Sequence, residues 1–142
     1  MKSVIRQLLL VAFVVAALWA IFSWPRINDV ETGQTPEYRD LTPQVYTAAQ
    51  PQHVFAAAKK TVEHLPHWTL VGSGSGPGGS TIQAVCSLPL LPVKYDVTIK
   101  VTHEPDRTVV HVRSRSRLGP WDFGQNARNI RAFLAQLDRE VF

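Results

Sequence analysis

The sequence predicts an α+β domain built on an antiparallel sheet and preceded by one transmembrane helix. Three observations carry this reading. No residue between Arg6 and Arg26 is charged. The stretches 93–101 and 108–117 alternate apolar and polar residues with period two and are joined by a turn sequence. Two further stretches, 51–65 and 123–141, carry apolar residues at helical spacing. At 142 residues, 45 % apolar and 18 % charged, the chain has a folding composition and room for one domain with a short appendage.

The appendage comes first. Leu8–Trp24 is a run of 17 residues of Leu, Val, Ala, Phe, Ile and Trp with a single Ser. A helix over residues 4–24 is about 30 Å long, the thickness of the hydrocarbon core. Trp19, Phe22 and Trp24 gather at its C-terminal end, as an interfacial aromatic belt does. Lys2, Arg6 and the amino terminus favour an N-inside orientation, which Arg26 opposes weakly. The competing reading is a cleaved signal peptide, but the run is long for one and lacks small residues at a cleavage site before Pro25. The expectation is a single-pass anchor over residues 1–25 in the inner or cytoplasmic membrane. The C-terminal domain then lies outside the cytoplasm, in the periplasm of a Gram-negative host.

Residues 26–44 follow Pro25 and hold Pro36, Pro43 and the acids Asp29, Glu31, Glu37 and Asp40. That composition reads as a polar tether, or an extended segment laid on the domain. The α+β domain is expected over 45–142. Val45–Ala48 makes a short strand, and Pro51 opens a helix to about Leu65, with Val54, Phe55, Ala58, Val62 and Leu65 as its apolar stripe. Pro66 ends it. Trp68–Val71 is a strand, Gly72–Ser80 is nine residues of only Gly, Ser and Pro and reads as a flexible loop, and Thr81–Leu88 resumes as a strand.

Val93–Val101 places Val93, Tyr95, Val97, Ile99 and Val101 on one face. Thr108–Arg117 places Val110, Val112, Ser114 and Ser116 on one face and His111, Arg113, Arg115 and Arg117 on the other. Glu104-Pro105-Asp106-Arg107 is a turn sequence between them. It sets His103 against Thr108, and by counting, Asp96 falls opposite Arg115 and Thr98 opposite Arg113. A slip of two residues would pair Asp96 with Arg113 or Arg117 instead. The last helix, from about Phe123 to Val141, is capped by Asp122 with Gln125 three residues on, and Ala127, Ile130, Leu134, Leu137 and Val141 form its buried stripe. The order β-α-β-β-β-β-α gives a sheet of about five strands with two helices on one face. Such a sheet around a long C-terminal helix resembles the helix-grip and TATA-binding-protein-like architectures.

The charge is unusual in one place. From Lys94 to Arg131 there are eight basic residues and four acids. Arg113-Ser114-Arg115-Ser116-Arg117 is followed by Leu118, Gly119, Asp122, Gly124, Asn126, Arg128, Ile130 and Arg131. This run resembles the signature of a bacterial and plastid family known as domain of unknown function 1499. Ile82-Gln83-Ala84-Val85 and Asn28-Asp29-Val30-Glu31-Thr32 are also similar to it, so that the resemblance covers most of residues 27–138. The chain departs from the family at Tyr95-Asp96, where paired aspartates are usual, and at Asn129, where a second arginine is. The resemblance implies a fold and a membrane or envelope habit, and no reaction or cofactor.

Three arginines on one strand face repel unless something negative covers them. One reading is an internal salt-bridge network, with Asp96 across the hairpin and Asp29 and Glu31 folded onto the same face. The other is an anion site, such as a lipid phosphate or an acidic partner. There Arg115, Arg117 and Arg128 converge near the helix start, where Asp122 would compete with the anion. The site residues on either reading are Arg113, Arg115, Arg117, Arg128, Arg131, Asp96, Asp122 and Asn126. Trp68, Trp121 and Phe123 either pack the core or line a pocket between sheet and helix.

Other patterns carry less. Gly74–Gly79 satisfies G-x-G-x-x-G, but a strand follows it where a dinucleotide site needs a helix, so no cofactor is expected. His64 and His67 have ligand-like spacing broken by Pro66, and no metal is expected. Cys86 sits in a strand pattern as a small buried group. A net charge of +4 without a basic patch interleaved with aromatics does not favour nucleic acid. The leading expectation is a membrane-anchored, non-enzymatic domain that binds an anionic or amphipathic ligand or a membrane protein partner through the arginine strand. The alternatives are a structural or assembly factor whose arginines hold the fold together, and a hydrolase or transferase with an unrecognised site.

Overall fold

The computed structural model describes residues 1–142. Helix α1 (Lys2–Ser23) is the apolar segment, and none of its residues is buried in the protein. By length and composition it suffices to cross a membrane. The remainder is a sheet of six strands, β1 (Asp29–Glu31), β2 (Gln44–Tyr46), β3 (Trp68–Gly76), β4 (Gly79–Ser87), β5 (Lys94–Glu104) and β6 (Arg107–Ser116). Its order is β1-β6-β5-β4-β3, every pairing is antiparallel, and β2 lies beside β1 against the same edge of β6. Helices α2 (Pro51–His64) and α3 (Gln125–Val141) pack against each other and against the sheet. The sheet is open, and the fold class is α+β as the sequence predicts.

Both helices cover one face. Ile82, Ala84, Cys86, Tyr95, Val97, Ile99, Val101, Val110 and Val112 point inward beneath them, and Val54, Ala57, Ala58, Val62, Ala127, Ile130, Phe133 and Leu137 close the core from above. At about 25 cal/mol per Å² of apolar surface removed from water, this one contiguous cluster is the main source of stability. Phe133, fully buried and stacked on Trp68 at 6.0 Å, is the largest fully buried side chain of α3. The expected stripe named Leu134 in its place, which lies at the margin.

Three corrections to the sequence reading concern boundaries. Gly72–Ser80 is not a loop. β3 continues to Gly76, Pro77-Gly78 make the turn, and β4 begins at Gly79, with Ser75 opposite Ser80. Backbone pairing holds this hairpin, helped by the Ser75 and Ser80 hydroxyls 2.8 Å apart, since glycine and serine supply little side-chain pattern. Gly79 has φ +113°, and a Cβ there would run into the Val101 carbonyl. Second, the sheet has a sixth strand beyond the five expected, because the 26–44 segment takes the second of its two readings, an extended segment laid on the domain, and contributes β1. Val30 and Thr32 are fully buried and Leu41 nearly so, Gly33 N–H donates to Leu41 O, and β1 pairs with β6. Third, α3 starts at Gln125, two residues later than expected, after a left-handed Gly124.

The β5–β6 register is the one counted from the turn. Asp96 faces Arg115, Thr98 faces Arg113, and His103 faces Thr108, with the turn tightened so that Glu104 and Arg107 also pair.

Candidate functional site

Strand alternation sends Ser114 and Ser116 inward and Arg113, Arg115 and Arg117 outward, onto the sheet face that no helix covers. Asp29 and Glu31 of β1 stand opposite Arg115 and Arg113, and Asp96 of β5 stands opposite Arg115 from the other side. Arg115 is thus the register partner of two carboxylates, yet it bonds neither. Asp29 takes both its bonds from Arg113, Nε to Oδ1 at 2.8 Å and Nη2 to Oδ2. Asp96 takes Arg117, with Nη2 to Oδ1 at 2.7 Å and Nε at 3.0 Å from both oxygens. Long side chains on a twisted sheet reach the diagonal neighbour as readily as the one directly across.

The electrostatics follow the geometry. Hydrogen bonding from Arg113 holds the Asp29 carboxyl below the usual carboxylate range, and Arg117 does the same for Asp96. The Arg115 charge lowers both further. Lys94, Lys100, Arg113, Arg115 and Arg117 on this face outnumber Asp29, Glu31 and Asp96, so it keeps a net positive charge. Arg115 opens onto a shallow cleft of about 480 Å³ that it lines with Arg26, Asn28, Asp29, Gln34 and Glu37, among others.

Arg128 does not join this group. It lies on α3, on the other side of the sheet, and donates to Gln125 Oε1 at 3.2 and 3.1 Å. The convergence of Arg115, Arg117 and Arg128 expected at the helix start is therefore absent. Inward polarity at Ser114 has the cause that an apolar strand face would demand: the side chain is buried and needs partners. Ser114 Oγ donates to Asn126 Oδ1 at 2.7 Å and accepts from Asn129 Nδ2 at 3.3 Å, and Asn126 Nδ2 donates to Asn28 O at 3.0 Å. Asp122, nearly buried, accepts from the backbone N–H of Gly124 at 2.8 Å and of Asn126 at 3.0 Å. The N-cap position is Gly124 rather than the expected Asp122, which satisfies the Asn126 N–H from two residues before that cap, and the Gln125 side chain turns to Asn129 instead of closing a capping box. Asn126 is thus the pin that joins α3, β6 and the entry to β1.

Arg131 bonds Asp40 at 2.7 Å and lies over the Tyr38 ring at 5.8 Å, fastening the 36–41 segment to α3. Asp40, Asn28, Ser114 and Arg26 were missed as site residues. Asp40, Asn28 and Arg26 sit in a stretch whose polarity reads as tether, and the signals at hand were the inward parity of Ser114 and the place of Asn28 and Ser114 in the segments similar to the family. The aromatic residues do not make a common pocket. Trp68 packs on Phe133, Arg26 lies over the Trp121 ring at 5.5 Å, and Phe123 meets Trp24 at 5.7 Å. The Trp121 indole nitrogen is buried without a partner. His64 Nδ1 lies 2.7 Å from a Glu140 carboxylate oxygen, and Lys60 flanks the same carboxylate. Cys86 is buried, donates toward Asn129, and has its thiol pushed up to about 11 by burial.

Fold and site together define an α+β domain with an arginine ladder on its open sheet face, joined directly to an apolar N-terminal helix. The chain belongs to the family described as protein of unknown function DUF1499, whose model matches residues 23–137. No curated protein matches it. Among solved structures it is similar to TTHA0849 from Thermus thermophilus, at 14 % identity and a TM-score of 0.40, over 80 % of this chain and 96 % of that one.

Proposed function

We propose that this is a membrane-anchored, non-enzymatic domain that binds the anionic group of an amphipathic ligand at Arg115. The carrying observation is that Arg115 stands between two carboxylates, both committed to other arginines, and faces a cleft shared with Arg26. An arginine without a carboxylate offers its planar fork to phosphate or carboxylate. On this reading α1 spans the inner or cytoplasmic membrane once, Lys2 and Arg6 keep its N-terminus inside, and the domain over 45–142, with the segment 26–44 folded onto it, lies outside the cytoplasm.

Arg113, Arg117, Arg131, Asp96, Asp122 and Asn126 hold the frame around that arginine. The same ion pairs support the second reading, a structural or assembly factor in which the whole motif is internal. Arg113–Asp29, Arg117–Asp96 and Arg131–Asp40 are what favours it. A hydrolase or transferase finds less support, since Asp96 is engaged by Arg117 and burial holds the Cys86 thiol protonated.

Native mass spectrometry of the full chain, released from membranes in mild detergent, tests this. A reproducible added mass that disappears in Arg115→Ala but persists in Arg131→Ala is expected. A bare mass, or an adduct indifferent to Arg115→Ala, would leave the structural reading in its place.

A further inference from the structure

We propose that the end of the domain from which α1 departs is itself a bilayer-docking surface, seated on the membrane that holds the anchor. This rests on the reading of α1 as a membrane anchor. Three observations support the docking.

The first is reach. Because the 26–44 segment is folded into the domain, only residues 24–28 lie between the end of α1 at Ser23 and the start of β1 at Asp29. Five residues span at most about 17 Å even when extended. They are not free either: Trp24 meets Phe123 at 5.7 Å, Arg26 lies over Trp121, and Asp122 N–H donates to Ile27 O at 3.0 Å. The domain is held with this end against the head-group region.

The second is where its apolar surface lies. The antiparallel register brings the β4–β5 connection, the start of β1 and the β6–α3 connection to one end of the sheet. That end carries Leu90 at 92 % exposure, Leu118 at 61 %, Leu91 at 58 %, Phe123 at 46 % and Trp24 at 43 %. Phe123 takes a left-handed backbone, φ +50°, which a bulky side chain rarely adopts without compensation. The opposite end consists of the Pro77-Gly78 and Pro105-Asp106 turns, with Phe142 and Val45 of β2 the exposed large apolar residues toward it.

The third is charge. Arg26 and Lys94 lie at this end without a carboxylate partner, whereas Arg117 and Asp96 neutralise each other, Asp29 is paired with Arg113, Asp122 is buried at the helix cap, and Glu37 shares the cleft beside Arg26. Apolar tips inside a basic rim match an interface of acyl chains beneath anionic head groups.

The test uses the full chain in vesicles of phosphatidylethanolamine and phosphatidylglycerol. A fluorophore is attached at one introduced cysteine at a time: Leu90→Cys, Leu118→Cys, Asp106→Cys at the far end, and Val15→Cys within α1. Nitroxide-labelled lipid then serves as quencher. Quenching several-fold stronger at positions 90 and 118 than at 106, with 15 quenched as well, is expected. Quenching at 15 without quenching at 90 and 118 would overturn the docking and leave the anchor intact. No quenching at 15 would overturn the anchor reading itself. Equal quenching at 106, or labels at 90 and 118 shielded from aqueous iodide yet untouched by lipid quencher, would replace the bilayer with non-specific contact or a protein cover.

Discussion

Asn126→Ala separates the buried network from the exposed ladder. Asn126 is fully buried, accepts from Ser114 Oγ at 2.7 Å and donates to Asn28 O at 3.0 Å. Truncation strands the Ser114 hydroxyl proton in the core, while the Asn28 carbonyl keeps the Ser116 N–H at 3.1 Å. A stranded buried donor costs about 1–3 kcal/mol and a lost neutral hydrogen bond about 1 kcal/mol. Alanine returns roughly 0.5 kcal/mol through its better helix propensity. The net loss is about 1.5–3.5 kcal/mol, which lowers the melting temperature by roughly 6–14 °C for a domain of this size. Arg115→Met removes no ion pair and should change stability by less than about 0.5 kcal/mol. Thermal unfolding of the full chain in detergent micelles, followed by tryptophan fluorescence, reads both. An Asn126→Ala variant melting within about 2 °C of the parent, where the hydrogen-bond cost predicts several times that, would refute the network. So would an Arg115→Met variant as damaged as Asn126→Ala.

Three further outcomes follow from the structure. Hydrogen bonding from Lys60 and His64 lowers the Glu140 carboxyl from 4.5 to about 2, and Arg113 and Arg117 lower Asp29 and Asp96 from 3.8. Groups depressed in the folded state stabilise it fully above their unfolded values and lose that contribution as pH falls through the folded ones. Denaturant midpoints should therefore hold above pH 5 and decline below it, less steeply in Glu140→Gln; a decline of unchanged steepness in that variant would contradict the assignment. Gly79→Ala should cost at least about 2 kcal/mol, from the left-handed backbone and the approach to Val101 O, and an unchanged unfolding curve would count against the tight hairpin. Cys86, buried and with its thiol pushed up to about 11, should react with a disulfide reagent at pH 8 only as fast as the domain opens. Prompt labelling of the native chain would contradict its burial.

The β5–β6 hairpin was legible because alternation, inward–outward parity and the Pro105-Asp106 turn agree on one register. The diagonal ion pairs were not legible, since register gives the residue across the ladder while twist and side-chain length choose among its neighbours. β1 escaped because three residues with one apolar member, Val30, give no period to count, although Val30 is fully buried. The two strands of the β3–β4 hairpin were legible at their apolar ends, but its distal part over 72–80 was not, because glycines and serines leave no side-chain pattern to trace the backbone pairing that organises them. Asn126 was legible as part of the family motif, but its work with Ser114 appears only when the helix is laid on the strand.

The most direct measurement is the set of guanidinium Nε–Hε resonances of Arg113, Arg115 and Arg117 in the full chain in nanodiscs, titrated with glycerol phosphate. The account predicts that Arg113 and Arg117, held by Asp29 and Asp96, exchange slowly with water and move little, while Arg115 exchanges fast and shifts saturably. Three resonances that behave alike, or an Arg115 that never responds, would contradict an open anion site at the centre of the ladder.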